Sequence, residues 1–262
     1  MRPLLIDKMK KRLIHEAAMR RATGHHKKLG RLKQVATGSG RGIVSLLLGL
    51  TMAAANPSLP PAKDLLDQIR LQQSQQQLDL EGQLRWEAKV IPFRITQTGP
   101  VIRYTFVDPP EVVQLRLGEK SSTLDLVLED STKKFASSRL DERIGGTSVT
   151  YGDLALKFLY WPRVEVLGDE IIRTRACWQL RLQPPSRDAQ YSNILLWVDK
   201  ESGAMMRIQA YDWQGRLTKK FEVVSAQKID GRWFLKQMRI EEFDPGTDHV
   251  RARTYLEIKK PA

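Results

Sequence analysis

Residues 145–162, GGTSVTYGDLALKFLYWP, constrain the fold of this chain more than any other stretch. Tyr151, Leu154, Phe158 and Trp161 recur at steps of three and four, which predicts a helix from Thr150 to Trp161 with an apolar stripe. Thr150 followed by Asp153 makes a capping box at its start, and Pro162 ends it. A helix this short and this aromatic must lie on something apolar. It is therefore either a plug in a core or a lid over a cavity, and what flanks it decides between them.

The flanks read as strands. The clearest alternation runs from Leu78 to Val90, where Leu78, Leu80, Gly82, Leu84, Trp86, Ala88 and Val90 interleave with six polar or charged residues. That is the pattern of a strand with one face in water. Shorter rows follow at Ile91–Ile95, Ile102–Phe106, Val113–Leu117 and Leu124–Leu128, and the polar stretch from Lys133 to Gly146 reads as a loop. Past Pro162 come rows at Val164–Leu167 and Ala176–Leu182, then Asn193–Asp199, which is apolar on both faces and predicts a central strand covered on both sides or one that exposes a row to a cavity. Turn signals at Asp199–Gly203, Asp212–Gly215 and Asp230-Gly231 then separate a meander that ends at Ile258. A helix is expected over Lys63–Gln77, with Leu65, Leu66, Ile69 and Leu71 on or near one side. The sum is an α+β chain of ten or eleven antiparallel strands with two or three helices. So many strands leave exposed edges in a flat sheet, so the sheet is expected to close or curl. Inside that curl the 150–161 helix leans toward a lid.

The net charge of +13 suggests nucleic acid until its position is considered. Residues 1–55 hold 12 Lys and Arg against 2 acids, which leaves a net charge of +3 on the rest. A nucleic-acid role for the body is therefore not supported. The leader has a basic stretch to Arg41, an apolar run from Ile43 to Met52 and the small residues Ala53-Ala54-Ala55, the parts of an export signal cleaved after Ala55. Its long basic region suggests a start at Met19 instead of Met1, and retention as an amino-terminal anchor is the alternative to cleavage. Residues 56–61 form a Pro-containing linker, and residues 62–262 a single domain. Cys177 is the lone cysteine, so no intramolecular disulfide forms, and its alternation with Ala176 and Trp178 makes it a small sheet residue.

Catalytic groups are scarce. His249 is the one histidine outside the leader and reads as a solvated side chain, and no zinc spacing, G-x-S-x-G elbow, P-loop or G-x-G-x-x-G occurs. Glu241-Glu242, Asp169-Glu170 and Glu129-Asp130 read as solvated acids at strand ends or turns. The chain is thus expected to be neither an enzyme nor a metal or cofactor protein. The remaining candidates are apolar: Trp86, Phe93, Tyr104, Phe106, Leu154, Phe158, Trp161, Trp178 and Trp197, with Tyr151, which line a pocket if they do not simply fill a core.

The stretch VTYGDLALKFLYW, the Trp178 strand, YSNILLWVDKESGAMMRIQAYDWQGRLTKKFEVV and IDGRWFLKQMRIEE resemble the LolA-like outer-membrane lipoprotein-sorting proteins, in their poorly characterised branch. The resemblance covers most of Gln77–Ile258 and rests on fold markers. It implies a strongly curved antiparallel β half-barrel with helices on its concave side and an acyl-binding cavity between them. It further implies a monomeric periplasmic carrier or chaperone of lipoproteins or lipids, with an inner-membrane transporter and an outer-membrane receptor as partners. The alternative on the same fold is a protein-binding envelope sensor. Arg85 and Arg94 fall on the charged face by alternation, so the classical carrier's polar lid contacts are not assigned to them.

Overall fold

The structure, a computed structural model, describes residues 59–229 and 231–259. The leader, the cleavage site after Ala55 and linker residues 56–58 lie outside the described residues. Thirteen strands form one antiparallel sheet: β1 (Gln77–Trp86), β2 (Lys89–Thr98), β3 (Val101–Val107), β4 (Pro110–Leu117), β5 (Ser122–Val127), β6 (Thr132–Lys134), β7 (Arg163–Ile172), β8 (Arg175–Gln183), β9 (Asn193–Asp199), β10 (Met205–Tyr211), β11 (Leu217–Ile229), β12 (Arg232–Phe243) and β13 (Val250–Ile258). Their order is β6-β5-β4-β3-β2-β1-β13-β12-β11-β10-β9-β8-β7. Two meanders meet at a central seam, where Leu84 of β1 faces Leu256 of β13. The edge strands β6 and β7 do not pair, so the sheet is open.

This topology explains why Phe135, Ile144, residues 147–151, Ala155, Leu159 and Trp161 are buried in the connection 135–162. That connection runs from one edge strand to the opposite edge strand, and crosses the apolar face of the sheet to do so. Two of its contacts show that the sheet curls around it. The Ala155 carbonyl accepts from Ser122 Oγ of β5 at 2.6 Å, and the Asp153 carboxylate meets Lys219 Nζ of β11 at 2.7 Å. β5 and β11 stand seven places apart, which on a flat sheet would be roughly 34 Å. Residues two apart in sequence span at most about 7 Å, so only strong curvature brings both strands to them.

Several expectations need correction. The alternation from Leu78 to Val90 is a hairpin, turning at Glu87 with φ 52° and Ala88. Leu84 faces Ile91 across it, so the inward phase switches from even to odd numbers, and Ala88 and Val90 face water. The polar stretch after Lys133 was expected as loop throughout, yet Thr132–Lys134 add a short edge strand against β5. With it the count rises to thirteen. The first helix, α1 (Ala62–Ser74), ends three residues before the expected Gln77, because Gln77 already pairs with Thr98. Its buried residues are Leu66 and Ile69, whereas Leu71 is exposed.

The Thr150–Trp161 helix is two single turns. The capping box forms as expected: Thr150 Oγ1 accepts from Asp153 N at 3.3 Å, and Asp153 Oδ2 accepts from Thr150 N at 2.9 Å. It opens a helical turn, α2 (Tyr151–Leu154). Leu156 then takes a left-handed conformation at φ 48° and starts a separate 3-10 turn at Lys157–Tyr160. The break sends the two turns to different halves of the inner face. Tyr151 and Ala155 belong to one apolar cluster, Leu159 and Trp161 to a second, and Leu156 touches both.

Candidate functional site

The first cluster covers the inner face of β1–β5 and reaches β11, β12 and β13. Phe93, Tyr104 and Phe106 lie in it, with ring centroids 6.1 Å (Phe93–Phe106) and 6.5 Å (Tyr104–Phe106) apart, and Leu154 packs against it. Burial pushes the Tyr104 hydroxyl up to about 12. Trp86 shares this inward phase and its ring lies beside Gly146.

The crossing segment is fastened over this half by polar ties. Arg143 pairs with Glu242 at 2.7 Å, Ser148 N donates to Thr254 Oγ1 at 2.9 Å, and Tyr151 donates to Glu111, which also pairs with Arg139 at 2.9 Å. The deepest tie is Lys219 to Asp153, both side chains about 95% buried, with Tyr191 donating to the other Asp153 oxygen at 2.8 Å. Burial, followed by the Asp153 charge, raises the Tyr191 phenol well above its ordinary value. The sequence held a signal for these groups. Lys219 shares the inward phase of Phe221 and Val223, and Glu242 that of Met238 and Ile240, so each is a charge placed where the alternation demands an apolar residue.

The second cluster lies on β8, β9 and β10 and is covered differently. Leu66 and Ile69 of α1, with Leu159 and Trp161 of the crossing segment, rest on Leu180, Leu182, Ile194 and Leu196. Phe158 and Trp178 pack at its margin. Trp197 stands apart from the other nine candidates, because odd positions of β9 face outward. It joins Ile172 and Cys177 on the outer face and donates from Nε1 to Glu170 at 2.8 Å. That outer cluster, opposite Ile194, Leu196 and Val198, covers β9 on both sides, one of the two arrangements that the sequence predicts. Burial raises the Cys177 thiol and holds it protonated.

Two clefts of about 270 Å³ each flank the second cluster at opposite ends of the same strands. One lies between α1 and the β9–β10 turn, with Leu65, Ile69, Trp178 and Val198 as an apolar floor and Lys200 on its rim. Lys200 Nζ stands 3.6 Å from the centre of the Trp178 ring. The other is bounded by Arg163, Gln183, Pro184, Arg187, Ser192 and Trp213. Trp178 and Gln183 are both on β8, which sets the clefts roughly 17 Å apart along the strand.

The carboxylates also need correction. Glu241 and Glu242 are not solvated: they are 3% and 5% exposed, within β12. Burial favours the protonated form of Glu241, but hydrogen bonds from Arg253 and Lys220 outweigh it and hold the group below its ordinary value. Glu222 beside it meets Arg173, Arg207 and Arg239. Glu222 and Glu241 are neutralised partners in an outer-face lattice, and Glu242 pairs inward with Arg143, so they are not a facing pair across a cleft. Among the described residues no group of three or more His, Cys, Asp or Glu could hold a metal ion. His249 is exposed, its Nδ1 2.9 Å from Asp244. Among them, too, no helix is long and apolar enough to cross a membrane.

A family model described as an uncharacterized protein matches residues 129–261. No curated protein matches the sequence. Three solved structures share the fold. A DUF1329 family protein from Desulfovibrio piger is 21% identical and aligns over 77% of this chain and 92% of its own, with a TM-score of 0.57. A putative outer membrane lipoprotein-sorting protein domain from Vibrio parahaemolyticus is 15% identical over 76% and 90%, with a TM-score of 0.57. A LolA superfamily protein from Nitrosomonas europaea is 16% identical over 77% and 93%, with a TM-score of 0.55. Half of the chain by sequence, and the open antiparallel sheet with its crossing segment by structure, lead to one conclusion: the chain belongs to the family that this model describes and has the fold of these three structures.

Proposed function

We propose that this protein is an exported, non-enzymatic binding protein that shelters an acyl chain against the inner face of β8–β10 and carries it through the periplasm as a lipid or as the anchor of a lipoprotein. The observation that carries this reading is the cover over the second cluster. Only Leu66 and Ile69 of α1 are buried there, and the helix lies beside a cleft with an apolar floor and a polar rim that carries Lys200, Asp199 and Glu201. Each methylene hidden from water contributes about 0.8 kcal/mol, so a chain that slides under α1 replaces the contacts it displaces. The apolar floor runs from one cleft toward the other along β8 and β9, a path that suits an extended chain. Phe158, Trp161 and Trp178 are the ligand-facing aromatics of this half. Phe93, Tyr104 and Phe106 of the other half come into contact only if the tied segment lifts. Outer-membrane lipoprotein sorting, with a transporter and a receptor as partners, is the physiological role that fits such a carrier.

Organic extraction of the purified chain, followed by mass spectrometry, should release acyl lipid, and the stripped protein should take up a fluorescent fatty acid at one site. A folded protein that contains no lipid and takes up no probe would overturn the reading. If it instead co-purified with a stoichiometric protein partner, the sensor role on this fold would replace it.

A further inference from the structure

The cleft at the far end of the second cluster has a chemistry that acyl binding does not use. It is made by the first residue of β7 (Arg163), the end of β8 with Pro184 and Pro185, the loop at 186–192 and Trp213 in the β10–β11 turn. Most of the described arginines meet a carboxylate, including Arg70, Arg85, Arg94, Arg116, Arg139 and Arg143, and Arg103, Arg163, Arg187 and Arg232 do not. Arg163 and Arg187 form no ion pair among the described residues, yet both line this one cleft.

Neither of the acids near them, Asp188 and Asp212, pairs with Arg163 or Arg187. Asp188 accepts from Ser186 Oγ at 3.2 Å, and Asp212 accepts from Arg216 at 2.7 Å and from the turn amides of Gln214 and Arg216. The Arg187 guanidinium stands 5.8 Å from the centre of the Trp213 ring, and Trp213 Nε1 donates to the Ala189 carbonyl at 3.1 Å, which fixes the indole at the rim. Two arginines without an ion pair among the described residues line one space of about 270 Å³, a donor set suited to an oxyanion with several acceptor oxygens. The Trp213 face and the two prolines offer an apolar wall for whatever carries that oxyanion.

We infer that this cleft binds a phosphate ester, clamped by Arg163 and Arg187 with its organic body against Trp213. The site does not depend on acyl binding, since a phosphate ester without a chain would fill it equally well. Two sources share the chemistry: the headgroup of a phospholipid and a soluble phosphate ester.

Titration of the full chain with glycerol 3-phosphate, and separately with phosphatidylglycerol vesicles in a phosphatidylcholine background, distinguishes them. Quenching of tryptophan fluorescence that disappears in W213F reports occupancy of this cleft. Binding of glycerol 3-phosphate supports a soluble ester, and binding of the anionic vesicles alone supports a headgroup. In either case R163Q/R187Q should weaken binding about tenfold or more, while R103Q, on the outer face of β3, binds as the parent does. Both arginines are exposed, so the double variant should keep the parental circular dichroism and melting temperature. Binding of neither probe overturns the inference. So does vesicle binding that salt abolishes but R163Q/R187Q leaves unchanged, because that describes general surface charge. Acyl uptake in the stripped protein is read separately, so either site can fail without the other.

Discussion

The two halves of the inner face hold their cover in opposite ways. Over β1–β5 the crossing segment is fastened by buried ion pairs and hydrogen bonds to strands on both sides of the curl. Over β8–β10 the cover is an amphipathic helix with two buried side chains and a 3-10 turn, held mainly by apolar contact. Polar ties are directional and costly to break in a dry interior, whereas apolar contact is non-directional and can be exchanged for another apolar surface. The same fold thus contains a half covered through polar ties and a half covered through apolar contact, which the proposed carrier role makes the exchangeable one. The 145–162 stretch is plug over the first and cover over the second, with Leu156 as the joint.

The sharpest way to break this contrast is to cut the polar ties. Asp153→Ala strands the buried Lys219 ammonium and removes the capping box, and should cost about 3–5 kcal/mol, read by urea denaturation. The double variant D153A/K219M should recover most of that loss. Recovery shows that the pair fastens the segment without adding net stability, and its failure shows the cap to be the larger effect. Next in size, Leu159→Ala at the fully buried centre of the second cluster should cost about 3 kcal/mol. Phe158→Ala, at the half-buried margin, should cost about 1–2 kcal/mol and reduce fatty-acid uptake more than fivefold. An equal loss of stability at Leu159 and Phe158 with no change in uptake would make the second half a fixed core like the first.

The smallest effect concerns acid at the cleft beside α1. Asp199 is held well below the usual carboxylate range by Arg175, against burial, with further hydrogen bonds from Ser202 and the Glu201 amide. A carboxyl depressed on folding stabilises fully above its unfolded value of about 4 and loses that contribution as the pH falls below it. Amide exchange at residues 200–204 should therefore accelerate below about pH 4, before the first half loosens. Asp199→Asn should remove the pH dependence and leave the turn loose at neutral pH.

Much of the architecture was legible in the sequence because a strand period of two survives without tertiary context. The rows at Ile102–Phe106, Val113–Leu117 and Ala176–Leu182, and the turns after Asp199 and Asp212, fall where alternation puts them. The hairpin at Glu87-Ala88 was hidden because a two-residue turn interrupts neither the polar nor the apolar count and only exchanges their phase. The break at Leu156 was hidden because helical spacing from Tyr151 to Trp161 is consistent, and only the division of the inner face into two halves requires a left-handed residue between them. Of the candidate site, eight aromatic or apolar residues fall into the two inner clusters, and Trp86 lies on the same face. Trp197 does not, since a strand apolar on both faces gives no phase from which to assign one. Arg163 and Arg187 carried no signal at all, because what distinguishes them is a missing partner, and partners are set by the fold.

The seam between β1 and β13 has a further consequence. Gly82 lies opposite Ile258, so the first strand of the sheet finds one of its two neighbours only when the last strand is present. Pairing across such a sequence separation has a large loop-closure entropy and slows folding. The two meanders can form early, but the curl that encloses the crossing segment cannot close until the chain is complete. For the exported carrier proposed above, that delay keeps the chain unfolded while it is threaded through an export channel.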